Sequence, residues 1–103
     1  MRNVRITVKR VARYDDLITE YELPLENACS MKEGMAFVSK GAAKPEGLCE
    51  TAWETLRPFV LRLANGETKI YGDWMKNERS ALISCNDGFR PVSFLLEALE
   101  EGV

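Results

Sequence analysis

Histidine is absent from this chain. Without imidazole there is no His-based general acid or base, no Ser-His or Cys-His nucleophile pair, and no metal site that relies on a ring nitrogen. An excess of charge of one sign is also lacking: 14 Lys+Arg face 16 Asp+Glu, a formal charge of −2. A surface that neutralises nucleic-acid phosphates needs clustered Lys and Arg, so no nucleic-acid partner is expected. No apolar run approaches the roughly 18 residues of a bilayer span. Residues 1–13 alternate charged and apolar side chains instead of holding the run of about 7–15 apolar residues found in an export signal. A soluble protein of the cytoplasm, with no membrane partner, is the expectation. Cysteine is scarce and odd in number: Cys29, Cys49 and Cys85 stand 20 and 36 residues apart with no Cys-x-x-Cys pair. That spacing fits neither a disulfide scaffold nor a zinc ribbon and favours a reducing compartment.

What is present describes a folded domain. The 103 residues, 46% of them hydrophobic, suit one domain spanning 1–103. Val4, Ile6 and Val8 alternate with Arg5, Thr7 and Lys9, which predicts a strand with one buried face; beyond Lys9 the strand either ends or resets its phase at a bulge. Tyr14, Leu17, Ile18 and Tyr21 follow helical spacing behind the cap candidates Asp15 and Asp16, a short amphipathic helix that should end before Pro24. Leu25 to Lys32 reads as a connection carrying Cys29, and Met35 to Lys40 as a short strand between Gly34 and Gly41. After the turn Lys44-Pro45-Glu46-Gly47, a longer helix carries Cys49, Ala52, Trp53, Leu56, Val60 and Leu63 on one stripe. Pro58 should kink that helix or divide it in two, and Asn65-Gly66 should stop it. A polar loop with a short strand at Lys69 to Tyr71 comes next, then an apolar strand from Ser80 to Cys85 that enters a hairpin turn. The final segment is ambiguous: Val92, Phe94, Leu96 and Ala98 alternate as in a strand, whereas Val92, Leu95, Leu96 and Leu99 fit a helix.

The run Cys85-x-Asp87-Gly88-x-Arg90-Pro91-Val92-x-Phe94 resembles a family of small microbial proteins of about this length, known by three cysteines and without an assigned activity. The likeness extends over Asp16-Leu17 to Tyr21, Cys29 with Gly34-x-x-Phe37, and Pro45-x-Gly47-x-Cys49-x-x-Ala52-Trp53. It implies that the final segment is a strand. The fold class that follows is α+β: a largely antiparallel sheet of about four strands packed on one Pro-interrupted helix, with a short helix in the N-terminal half. The expected core is Val4, Ile6, Val8, Phe37, Trp53, Leu56, Val60, Leu82, Phe94 and Leu96.

Three thiolates suit a soft metal or an iron–sulfur cluster, and Asp87 is the nearest fourth donor for a Cys3Asp zinc site. Against this, free cysteines behave as small buried hydrophobes, and the first expectation is that these pack, with no resident cofactor. Asp87-Gly88 with Arg90 has the makings of an anion site, although a turn is the plainer reading: aspartate accepts local N–H groups, glycine supplies positive φ, and arginine pairs with an acid. Arg90, Trp53 and Trp74 are the candidate ligand contacts. The basic stretch Arg2, Arg5, Lys9, Arg10 and Arg13 precedes the acids Asp15, Asp16, Glu20, Glu22, Glu26 and Glu33, and the two are either solvated or partner each other within the fold, or favour a protein partner or self-association. The leading function is a small non-enzymatic binding or accessory protein. The alternative is a thiol-dependent protein using Cys29, Cys49 and Cys85 for a metal, a cluster or redox chemistry.

Overall fold

The computed structural model describes residues 1–25 and 29–100. In chain order the elements are β1 (Val4–Val11), α1 (Asp15–Tyr21), β2 (Ala36–Ser39), α2 (Glu50–Ala64), β3 (Ser80–Ser84) and β4 (Val92–Ala98). The four strands form one antiparallel sheet in the order β2-β1-β4-β3, and α2 packs on one face of it, giving an α+β fold. The connection read from Leu25 to Lys32 is described only on either side of residues 26–28.

Alternation along the strands decides which side chains meet α2. Val4, Ile6 and Val8 of β1 and Val92, Phe94 and Leu96 of β4 point inward and are buried, opposite Ala52, Leu56, Val60 and Leu63 of the helix. Each fully buried Val, Leu, Ile or Phe contributes about 1.5–3 kcal/mol, so these facing rows supply much of the stabilisation. Between Val8 and Arg10 two steps along β1 match one step along β4, which makes Lys9 the extra residue of a bulge. The reset turns Val11 back toward the core, opposite Val92.

The last segment is a strand because Val92 to Ala98 pairs on both edges, with β1 and with β3. Helix α2 runs unbroken from Glu50 to Ala64 with the exposed Pro58 inside it, so the chain does not divide into two helices there. Its stop is the expected one: Gly66 has φ 87°, and the N–H of Glu67 donates to the Arg62 carbonyl. Lys69 to Tyr71 is not a strand; Lys69 has φ 56° and the segment turns.

Leu82 corrects the expected core. It is 48% exposed, while Ala81 and Ile83 are buried. Pairing of Ala81 with Leu96 and Ile83 with Phe94 sets the phase of β3, and with a side-chain period of two Leu82 must lie on the outer face. Phe37 and Trp53 sit at the core margin, half-buried against it. Helix α1 buries no residue: Leu17 is borderline exposed and Tyr21 points to solvent, with Tyr14 as an N-cap that makes no side-chain bond and both aspartates in the first turn.

These elements converge at one end. The N–H of Arg2 donates to the Ala64 carbonyl, pinning the end of α2 to the start of β1. The start of α2 therefore lies at the opposite end of the sheet, where β1 and β3 finish and β4 begins.

The register carries a test. Ile83→Ala should cost about 2–4 kcal/mol in equilibrium urea unfolding, whereas Leu82→Ala should stay within about 0.5 kcal/mol. Equal costs would contradict the phase of β3.

Candidate functional site

A cavity of about 120 Å³ opens at that end of the sheet, and all three cysteines line it. Each arrives by a different route. Cys49 is the N-cap residue of α2; its carbonyl accepts the first helical bond from Trp53, and its side chain makes no cap bond. Cys85 follows the last residue of β3 and is held twice by Val92: its N–H donates to the Val92 carbonyl at 2.9 Å, and its Sγ accepts the Val92 N–H at 3.2 Å. Cys29 belongs to a segment without regular structure that leads toward β2. All three are free thiols and half-buried. They are not fully enclosed core residues.

Ala52, Val92 and Phe94 form the apolar wall, and Met31, only 5% exposed, adds a fourth sulfur. Asp87 and Arg90 supply the polar side. The Asp87 carboxylate is engaged in its own turn, with Oδ1 accepting the N–H groups of Phe89 at 2.8 Å and Arg90 at 3.2 Å. Gly88 is not among the glycines at positive φ, so the Asp-Gly turn is built by the aspartate's acceptor oxygen and not by a left-handed glycine.

Arg90 closes the site. Its guanidinium grips Glu22 with two bonds, NH2 to Oε1 at 2.8 Å and NH1 to Oε2 at 3.1 Å, with side chains 14% and 10% exposed. Hydrogen bonding to Glu22 holds the Arg90 pKa above its ordinary value; desolvation opposes the rise, and the neighbouring charges of Glu22 and Asp87 add to it. Two further bonds dock the turn onto the segment after β1: the Ala12 N–H donates to Pro91 and the Tyr14 N–H to Phe89, both at 2.9 Å. The acid and the base of this pair lie 68 residues apart. The arginine of the turn is thus consumed by an internal carboxylate, as the plainer reading of the sequence has it.

The remaining candidates lie elsewhere. Trp53 packs at the margin of the core, and Trp74 is 83% exposed, leaning on Tyr71 with ring centroids 5.8 Å apart; neither lines the cavity. Met31 and Glu22 are the participants that pattern reading missed. Cys29-x-Met31 was the available signal, because residues two apart in an extended segment share a side. Nothing local marks Glu22 as the partner of Arg90.

Among the described residues, no three Cys, Asp or Glu side chains are grouped so that they could hold a metal ion as they stand. Nor does any helix among them have the length and apolarity to cross a membrane. No protein-family profile, no curated protein and no solved structure matches the chain.

Two outcomes follow. Arg90→Leu should lower the melting temperature and speed alkylation of Cys29 in the native protein, while Arg90→Leu combined with Glu22→Leu should recover part of the lost stability; additive losses would mean that the pair is not coupled. Tyr71, whose hydroxyl donates to the Leu82 carbonyl at 3.0 Å, has its pKa raised above 10.0 by burial. The folded state therefore holds this proton more tightly than the unfolded chain. The stabilisation is complete below the unfolded value and is lost as pH rises through the folded one. Stability measured from pH 9 to 11 should decline less steeply in Tyr71→Phe, and identical slopes would contradict the assignment.

Proposed function

We propose that this chain is a small non-enzymatic binding protein that captures a soft metal ion with Cys29, Cys49 and Cys85. One observation carries the reading: thiols from three separate parts of the sequence line a single small cavity. Burial alone gives no reason for three cysteines to meet, since any apolar side chain would fill such a space.

Size and chemistry narrow the ligand. A space of about 120 Å³ lies below the roughly 300–1,000 Å³ of pockets that enclose organic molecules. An ion fits it. Sulfur donors without imidazole select Zn(II), Cu(I) and related soft ions over Mg(II) or Ca(II). As placed the three thiols are not a group that could hold an ion, so capture requires the sulfurs to draw together; rotating one cysteine between staggered χ1 wells moves its Sγ by about 3 Å. Cys49 caps α2 and Cys85 is bonded twice to Val92, whereas Cys29 sits in a segment without regular structure, so the least structure is disturbed when it closes on the other two. Binding displaces thiol protons, which makes affinity fall as pH falls.

The test is anaerobic titration with Cd(II), whose bonds to thiolate sulfur absorb in the ultraviolet. One equivalent should saturate the band, and at a thousandfold excess over Kd the fold should gain about 4 kcal/mol. Each single Cys→Ser change should weaken binding by at least about tenfold. No charge-transfer band, with all three thiols unreactive until denaturant is added, would overturn the reading.

A further inference from the structure

We infer that β2 is a self-association edge, through which two copies of this chain join antiparallel about a two-fold axis at Phe37. No residue of β2 lines the cysteine cavity, so the inference is independent of the three-thiol reading.

The two edges of the sheet differ. On β3 the outward groups are occupied: the Tyr71 hydroxyl donates to the Leu82 carbonyl at 3.0 Å, and the Ser80 N–H donates to the Asn77 carbonyl at 3.2 Å. Strand β2 has no such cover among the described residues. The Val8 N–H donates to the Met35 carbonyl, and the pairs Ile6 with Phe37 and Val4 with Ser39 continue that register. Alternation along an antiparallel ladder therefore turns the N–H and C=O groups of Ala36 and Val38 away from β1, toward the open edge. Both residues are exposed. Ala36 to Ser39 also holds none of the charged residues or prolines that usually keep an edge from pairing.

A second copy fits this edge because the strand is self-complementary. With Phe37 opposite its own counterpart, Ala36 of each copy faces Val38 of the other. Every outward N–H and C=O group of Ala36 and Val38 then has a partner. Phe37 shares the helix side of the sheet with its pairing partner Ile6 and is only half-buried there. Across the axis the two Phe37 residues form the closely spaced, non-hydrogen-bonded pair of the ladder, where aromatic side chains touch. Continuing the register sets Gly34 opposite Lys40, which brings the exposed Glu33 beside the exposed Lys40 of the second copy at both ends. Within the chain, neither Glu33 nor Lys40 has an ion-pair partner among the described residues. Two-fold symmetry supplies both complementary ends at once, which a foreign strand would have to match by its own sequence. The product is one continuous sheet twice the width of the four-stranded one.

A contact of this size makes a weak dimer, with Kd on the order of 100 µM. Sedimentation equilibrium of the reduced, metal-free full chain should show monomer and dimer exchanging in that range. Glu33→Lys and Lys40→Glu should each weaken association by about tenfold, because each sets like charges together at both ends. Mixing the two variants should restore the wild-type affinity, since the mixed dimer regains opposite charges at both ends, and misfolded variants would not recover in this way. As an independent readout, hydrogen exchange at the Ala36 and Val38 amides should slow as protein concentration rises. A chain that stays monomeric at about 1 mM, ten times the expected Kd, would overturn the inference, even if it captured a foreign strand. So would a dimer indifferent to both charge reversals, or one in which the Ala36 and Val38 amides exchange at the same rate at every concentration.

Discussion

The structure hangs on β4. This strand lies between β1 and β3, hydrogen-bonded on both edges, and turns Val92, Phe94 and Leu96 toward α2. A one-residue slip would send that apolar row to the outer face and bring Ser93, Leu95 and Glu97 inward, including a carboxylate with no buried partner. Register is therefore fixed by burial. Everything at the cavity inherits it, because Val92 and Phe94 form the wall while Val92 fixes both the backbone and the sulfur of Cys85.

The second layer of organisation is electrostatic. A pair as shielded from solvent as Arg90 and Glu22 contributes more to specificity than to net stability, since desolvation offsets much of the attraction. Its effect here is positional. It joins the chain that follows α1 to the turn that follows β3, so the segment leading to Cys29 and the hairpin carrying Cys85 are tied at a shared boundary. Cys49 caps the start of α2, whose far end is pinned by the bond between Arg2 and Ala64. Three independent anchors thus bring three thiols to one place.

Periodicity made much of this fold readable. The β1 alternation, the α2 stripe and the stop at Asn65-Gly66 are local patterns, and each has the predicted form. The bulge at Lys9 was legible as a break in phase. Leu82 was not, because a lone leucine in a five-residue apolar strand says nothing about which face is inward; only pairing with β4 decides that. Val92 to Ala98 fits two periods at once, and pairing on both edges resolves it. At the site, Cys85, Asp87 and Arg90 stood out because turn residues and proline cluster around them. That Cys29 and Cys49 join them is a consequence of topology, which no spacing of 20 and 36 residues discloses. Glu22 was hidden in the same way, among other acids that face water.

The three thiols sit half-buried at the margin of the core and line one cavity. Whether the three act as one site is answered most directly by mapping cysteine alkylation residue by residue as Cd(II) is added to the anaerobic protein. Capture by a single site requires Cys29, Cys49 and Cys85 to become protected together, along one curve that reaches completion at one equivalent. Protection at separate metal concentrations, or of one cysteine alone, would contradict a shared site.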